Sequence, residues 1–246
     1  MKAPATAQQR LLDLQHLDTT VRQLTHQRGT LPALARLAEL EAERQGARDH
    51  LVRAETAQSD VQRELAKSDA DVQLVRDRAA RDQARLDSGT GTAKDLQALQ
   101  HEMASLARRQ SELEDIELEV MERAERADEI VGEARDAVIE LDGQVAEAEA
   151  ERDAKTAELD ARLAEVAAPR DGMVGELPDD LVALYERLRA SHGGVGAAML
   201  HARRCLGCQL ELNATDLSRI RGSAADEVLR CEECGRILVR TAESGL

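Results

Sequence analysis

Residues 96–113 read Leu96-Gln-Ala-Leu99-Gln-His-Glu-Met103-Ala-Ser-Leu106-Ala-Arg-Arg-Gln110-Ser-Glu-Leu113. Apolar positions recur in alternating steps of three and four, the spacing that keeps one seam of a helix facing a partner helix. The stepping continues through Glu117, Val120, Ala124, Ala127, Val131, Ala134, Val138, Leu141, Val145 and Ala148. It weakens at Arg152 and Lys155 and returns at Leu159 and Val166. No proline lies between Pro32 and Pro169, so nothing in this stretch forces a break. The pattern is that of a coiled coil.

The partner lies upstream. Leu37, Leu40, Leu51, Ala54, Val61, Leu65, Val72, Val75, Ala79 and Leu86 follow the same stepping, interrupted by polar residues such as Ser68 and Asp82. Between the two arms sits Asp87-Ser-Gly-Thr-Gly-Thr-Ala93, a helix stop and restart whose length suits antiparallel neighbours. Leu11, Leu14, Leu17, Val21 and Leu24 mark a further helix ahead of the Gly29-Thr-Leu-Pro32 break. At the other end, Pro169 is expected to close the coil, and Asp179–Ser191 reads as a short helix with Leu181, Leu184, Tyr185 and Leu188 on one face. His192-Gly-Gly-Val-Gly196 reads as a flexible joint. The expected organisation is an N-terminal helix over 1–30 packing on the coil, an antiparallel coiled-coil hairpin over 31–168 with its turn at 87–93, a linker and short helix over 169–194, and a small β unit over 195–246. The fold class is mainly α.

Composition narrows the function. The 246 residues are 42% hydrophobic and 33% charged, with a formal charge of −15. There is no Trp or Phe, and Tyr185 is the single aromatic residue of those three types. A thick aromatic core and a platform of rings for stacking nucleic-acid bases are both excluded. No apolar run is long enough to span a membrane. The N-terminus lacks the apolar stretch and cleavage site of a signal peptide, so the cytoplasm is the expected location.

The last unit holds all four cysteines: Cys205-Leu-Gly-Cys208, then 22 residues, then Cys231-Glu-Glu-Cys234. Two CxxC knuckles supply four thiolates to one tetrahedral zinc, and four sulfurs leave no open position for water. The zinc is therefore expected to be structural. Two disulfides are the competing reading, disfavoured in a reducing compartment. A core of about 50 residues without aromatics is small enough for metal binding to supply much of its folding free energy.

Coil and ribbon together resemble the bacterial family of long coiled-coil hairpins that end in a C4-type zinc ribbon. The ribbon pattern lies on Cys205, Gly207, Cys208, Cys231, Cys234, Gly235, Arg236 and Leu238, and the hairpin-turn pattern on Lys94-Asp95-Leu96 with Leu99. Glu232-Glu233 stands where relatives often carry Pro-Asn, which makes the second knuckle more acidic. The resemblance implies a non-enzymatic binding protein, with nucleic-acid binding and regulatory-adaptor roles both suggested for members.

Charge bears on that choice. The acidic excess lies in residues 1–194, while residues 195–246 balance seven Arg against seven Asp and Glu. A nucleic-acid site would therefore be local, and Arg203, Arg204, Arg236 and Arg240 are its candidate phosphate contacts. The scattered histidines form no HExxH, the Gly89-Thr-Gly91 connector lacks the spacing of a phosphate loop, and no nucleophile–base pair is legible. The expected function is a zinc-binding adaptor. Its ribbon would contact nucleic acid or a nucleic-acid-associated protein, and its coil would present a second, protein partner. The alternative is a protein–protein scaffold or regulatory chaperone without nucleic-acid contact.

Overall fold

A computed structural model describes residues 1–246. Its elements are α1 (Ala5–Gly29), α2 (Pro32–Asp87), α3 (Ala93–Gly175), α4 (Asp179–Ser191), β1 (Ala197–His201), β2 (Arg204–Cys205), α5 (Ala214–Gly222), β3 (Leu229–Arg230) and β4 (Ile237–Val239). They form two compact units, Ala35–Glu149 and the combination of Met1–Leu34 with Ala150–Leu246. No helix is long and apolar enough to cross a membrane.

In the 35–149 unit, α2 and α3 run antiparallel along the seam that the stepping marks. Leu37, Leu40, Ala54 and Val72 from α2 are buried, as are Leu99, Leu113, Val120, Ala124, Val131, Ala134, Val145 and Ala148 from α3. Ion pairs flank the seam: Arg48–Asp142 at 2.9 Å, Arg135–Glu55 at 2.7 Å, Arg123–Glu64 at 2.8 Å, Arg76–Glu114 at 2.7 Å, and Arg78–Glu102. Numbers rise on one arm as they fall on the other, the signature of an antiparallel hairpin. Each pair is about half exposed and adds little by itself. The turn is closed by a reciprocal cap. The Thr92 N–H and hydroxyl donate to Asp95 Oδ2 at 3.0 and 2.7 Å, and the Asp95 N–H donates to Thr92 Oγ1 at 3.3 Å. These bonds hold the Asp95 carboxyl below its ordinary pKa.

The other unit is built on a four-stranded sheet in the order β2-β1-β4-β3, with β1 and β4 parallel. Alternation along the strands sends side chains to two cores. Ala197, Ile237 and Val239 face Ala7, Leu11 and Leu14 of α1 and Leu181, Tyr185 and Leu188 of α4. Ala198, Leu200 and Leu238 face the cysteines together with Leu212, Ile220 and Leu229. The N-terminus adds to the β3 side, with the Ala3 N–H on the Asp226 carbonyl at 2.8 Å and the Val228 N–H on the Met1 carbonyl at 3.1 Å.

Three expectations change. Pro169 does not end the coil helix: α3 continues to Gly175. Proline costs one backbone hydrogen bond there, but the next turn is anchored by Arg170, which reaches Asp18 and Glu186 at 2.6 Å each, and by Met173 and Val174 against the core. Residues 192–196 are not a free joint. Gln15 of α1 donates to the Gly194 carbonyl at 2.9 Å and accepts from the Gly196 N–H at 2.7 Å. The helix over 5–29 buries its apolar face on α4 and the sheet, and meets the end of α3 through Arg10–Glu176 and Arg170–Asp18. The ribbon therefore shares its core with α1 and α4.

Candidate metal centre

The two knuckles lie at the β1–β2 end of the sheet and at the β3–β4 connection, so sheet pairing brings four distant sulfurs together. Cys205 and Cys231 are buried, and Cys208 and Cys234 are half-buried. All four Sγ atoms lie within 4.8 Å of one another. Cys205–Cys234 is 4.0 Å and Cys208–Cys231 is 3.9 Å. Tetrahedral zinc with Zn–S bonds of about 2.3 Å requires sulfurs about 3.8 Å apart. The cluster fits the ion, and its all-sulfur donor set is that of one structural zinc.

Backbone N–H groups complete each knuckle. Those of Gly207 and Cys208 point at the Cys205 sulfur, those of Glu233 and Cys234 at Cys231, and that of Arg236 at Cys234. Desolvation pushes the Cys231 thiol up to about 12 and raises Cys205 as well. Cys234 is also desolvated, but the Arg236 backbone and side chain bring it down to about 7. A zinc ion binds thiolates, so its charge offsets the desolvation that keeps the buried pair protonated.

Two glycines are required by geometry. Gly235 has φ +71° and closes the second knuckle with its N–H on the Cys231 carbonyl at 2.8 Å. A Cβ on Gly207 would stand 2.8 Å from Arg236 Cδ and 2.9 Å from Ala198 Cβ.

The four arginines separate into two pairs. Arg236 turns inward, with Nε on the Val195 carbonyl at 3.0 Å and Nη2 on the His192 carbonyl at 3.1 Å. Arg240 caps the end of α5, donating to the carbonyls of Ile220 at 3.2 Å, Ser223 at 2.8 Å and Ala224. Arg203 and Arg204 are exposed at the β1–β2 hairpin. Ala202 (φ 44°) and Arg203 (φ 65°) form its tip, and Arg203 Nε donates to the Gly245 carbonyl at 3.2 Å.

Sequence reasoning missed α5, although Asn213-x-x-Asp216 marks its start: the Asn213 side chain accepts from the Asp216 N–H at 2.8 Å. It also missed the buried polar cluster under the ribbon. There Asp18, 1% exposed at its side chain, accepts from the Tyr185 hydroxyl at 2.7 Å and from Arg170 at 2.6 Å, with Arg189 at 3.4 Å.

Comparison with known proteins agrees with this architecture. Residues 14–193 match the CT398-like coiled coil hairpin domain, and residues 204–238 match the C4-type zinc ribbon domain. An uncharacterized protein of Mycobacterium tuberculosis is 37% identical over 241 residues, covering 98% of each chain. A solved structure from Mycobacterium smegmatis superposes with a TM-score of 0.86 at 38% identity, covering 98% of this chain and 100% of that one. CT398 from Chlamydia trachomatis has the same fold at 18% identity, with a TM-score of 0.70 over 96% of this chain and 98% of that one. The hairpin match over most of the chain, together with the ribbon match over its four clustered thiols, thus places the chain in the CT398-like coiled-coil hairpin family with a C-terminal C4-type zinc ribbon.

Proposed function

We infer that this chain is a non-enzymatic, cytoplasmic adaptor. Its zinc ribbon contacts nucleic acid or a nucleic-acid-associated protein through the β1–β2 hairpin, and its coil presents a second partner. The observation that carries this reading is the hairpin tip. Two-residue hairpins with left-handed backbone ordinarily use Asn-Gly or Gly-Gly, yet here Ala202 and Arg203 both have positive φ. Such residues cost of order 1–3 kcal/mol each and persist where surrounding structure fixes them. The Glu243 and Ser244 carbonyls do so, accepting from the Ala202 and Arg203 N–H groups at 2.8 and 2.9 Å. The strained tip projects Arg203 and Arg204, while Arg236 and Arg240 are spent on carbonyls. The non-enzymatic reading is supported by the all-thiolate donor set, which leaves a zinc no open position.

Two exposed arginines, without rings to stack bases, imply weak and sequence-tolerant phosphate binding, with a log–log salt slope of about −1.4 to −1.8. The test measures RNA and DNA affinity of the zinc-loaded protein at low salt, wild type against Arg203→Ala/Arg204→Ala, with zinc content as the folding control. Loss of binding at unchanged zinc supports the nucleic-acid contact. If neither polymer binds, or the variant binds equally well, the protein–protein scaffold takes over. That second reading has its own observation: Leu206 and Leu210, 39% and 50% exposed, flank the same knuckle and suit a protein partner.

A further inference from the structure

The 35–149 unit carries an unused pattern on the outer face of α3. Positions seven apart lie on one stripe of a coiled-coil helix, and Lys94, His101, Arg108, Asp115, Glu122, Glu129 and Asp136 form such a series. All seven are exposed. The stripe changes sign once, between Arg108 and Asp115. Its only ion pair is the loose one from Glu122 to Arg126 at 3.7 Å, whereas the flanking ladder pairs most of its charges.

The surroundings reinforce the separation. Residues 76–109 hold seven Lys and Arg against five Asp and Glu, and residues 110–149 hold three against fifteen. His101 and Glu122 stand roughly 32 Å apart along the helix, at 1.5 Å per residue. The screening length at physiological salt is about 8 Å. Pairs between the two stretches form only where they meet, at Arg76–Glu114 and Arg109–Glu112, and none of these residues belongs to the stripe. Away from that boundary the opposite charges of the stripe are too far apart to neutralise each other within one chain, and apart from the loose Glu122–Arg126 contact they have no ion-pair partner.

We propose that this stripe is a self-complementary docking surface whose occupant is a second copy of the chain, laid antiparallel on α3. One register sets Lys94 opposite Glu129, His101 opposite Glu122 and Arg108 opposite Asp115. Two-fold symmetry repeats each pair, as an isologous interface requires. The symmetry axis then falls between Ser111 and Glu112, so no acidic residue of the stripe meets its own copy. The same register lays Leu118, 58% exposed, against the Ala104-Ser105 stretch of the second copy. A nucleic acid fits the stripe less well, because the acidic half would repel a polyanion that extends past Arg108.

The test is the mass of the zinc-loaded full chain in solution, by sedimentation equilibrium at about 50 mM and about 500 mM salt. At low salt the wild type should show twice its 26.9 kDa chain mass and return toward one chain at high salt. Lys94→Glu/Arg108→Glu should be a single chain at low salt, and so should Asp115→Lys/Glu122→Lys/Glu129→Lys. An equimolar mixture of the two variants should restore the two-chain particle. Unchanged helix content by circular dichroism checks that neither variant misfolds. A wild type of one chain at low salt overturns the proposal, as does a two-chain mass that neither reversal changes, or a mixture that stays apart. If Lys94→Glu/Arg108→Glu loses RNA binding but keeps its mass, the stripe is a phosphate site instead.

Discussion

The two units hold themselves together differently. The 35–149 unit spreads its stability along a seam of small aliphatic side chains, with half-exposed ion pairs repeated on either side. The other unit concentrates it: Tyr185, Leu11, Leu14, Leu181 and Ile237 are fully buried around a charged cluster at Asp18, and the sheet they rest on also carries the cysteines. Removing one rung of a ladder leaves its neighbours in place. Removing a member of a concentrated core leaves partners stranded without water. Single changes should therefore be severe in the ribbon-bearing unit and mild in the hairpin.

The largest contrast should come from the metal. Structural zinc contributes about 10–16 kcal/mol to comparable small sites, more than most domains have in net stability. Cys231→Ser should abolish zinc binding and unfold the ribbon. Because Ala197, Ile237 and Val239 belong to the core of α1 and α4, the loss should spread to those helices and stop short of residues 35–149. Hydrogen exchange with and without a chelator measures both effects. Protection of α1 and α4 that survives metal loss would show that the shared core is not cooperative.

Next comes Asp18. Its carboxylate answers the Tyr185 hydroxyl and Arg170, with Arg189 nearby, in a site almost closed to water. Asp18→Ala strands the Tyr185 hydroxyl and leaves Arg170 and Arg189 with Glu186 alone, and breaking a buried pair from one side costs up to about 3–5 kcal/mol. Glu64→Ala removes a contact nearly as short, to Arg123 at 2.8 Å, but in an exposed rung. Its effect on urea unfolding of the full chain should be small beside that of Asp18→Ala. Equal effects would erase the difference between the units.

The same difference explains what the sequence made legible. The hairpin is readable because each rung is local: Leu96, Leu99 and Met103 declare the seam by spacing, and the knuckles declare the metal by theirs. Gln8, Gln15 and Asp18 could not be read in that way, since each reaches a partner in residues 170–225. Spaced among the α1 leucines, they look like interruptions of an apolar face, whereas each satisfies a polar group of the ribbon base. Arg236 and Arg240 misled for a related reason. A basic residue near a zinc site suggests phosphate, but carbonyls left over at the end of α5 and in the 192–196 turn already claim these two, and only the folded chain brings those carbonyls near.

The smallest effect sharpens the comparison from the hairpin side. Ser68 lies in the seam, 7% exposed, and its hydroxyl has no hydrogen-bond partner. A hydroxyl placed there loses water and receives nothing in return, at a cost of about 1–3 kcal/mol. Alanine removes that penalty and is the better helix former, by about 0.5 kcal/mol. It gives up only the few contacts the oxygen makes with neighbouring side chains. Ser68→Ala should therefore stabilise the hairpin by roughly 1 kcal/mol, read as a rise in the urea midpoint of the 35–149 unit with an unchanged slope. The ribbon-bearing unit should not respond, since residue 68 belongs to neither of its cores. A destabilised variant would mean that the hydroxyl holds an ordered water within the seam, and that the hairpin, too, depends on one concentrated polar site.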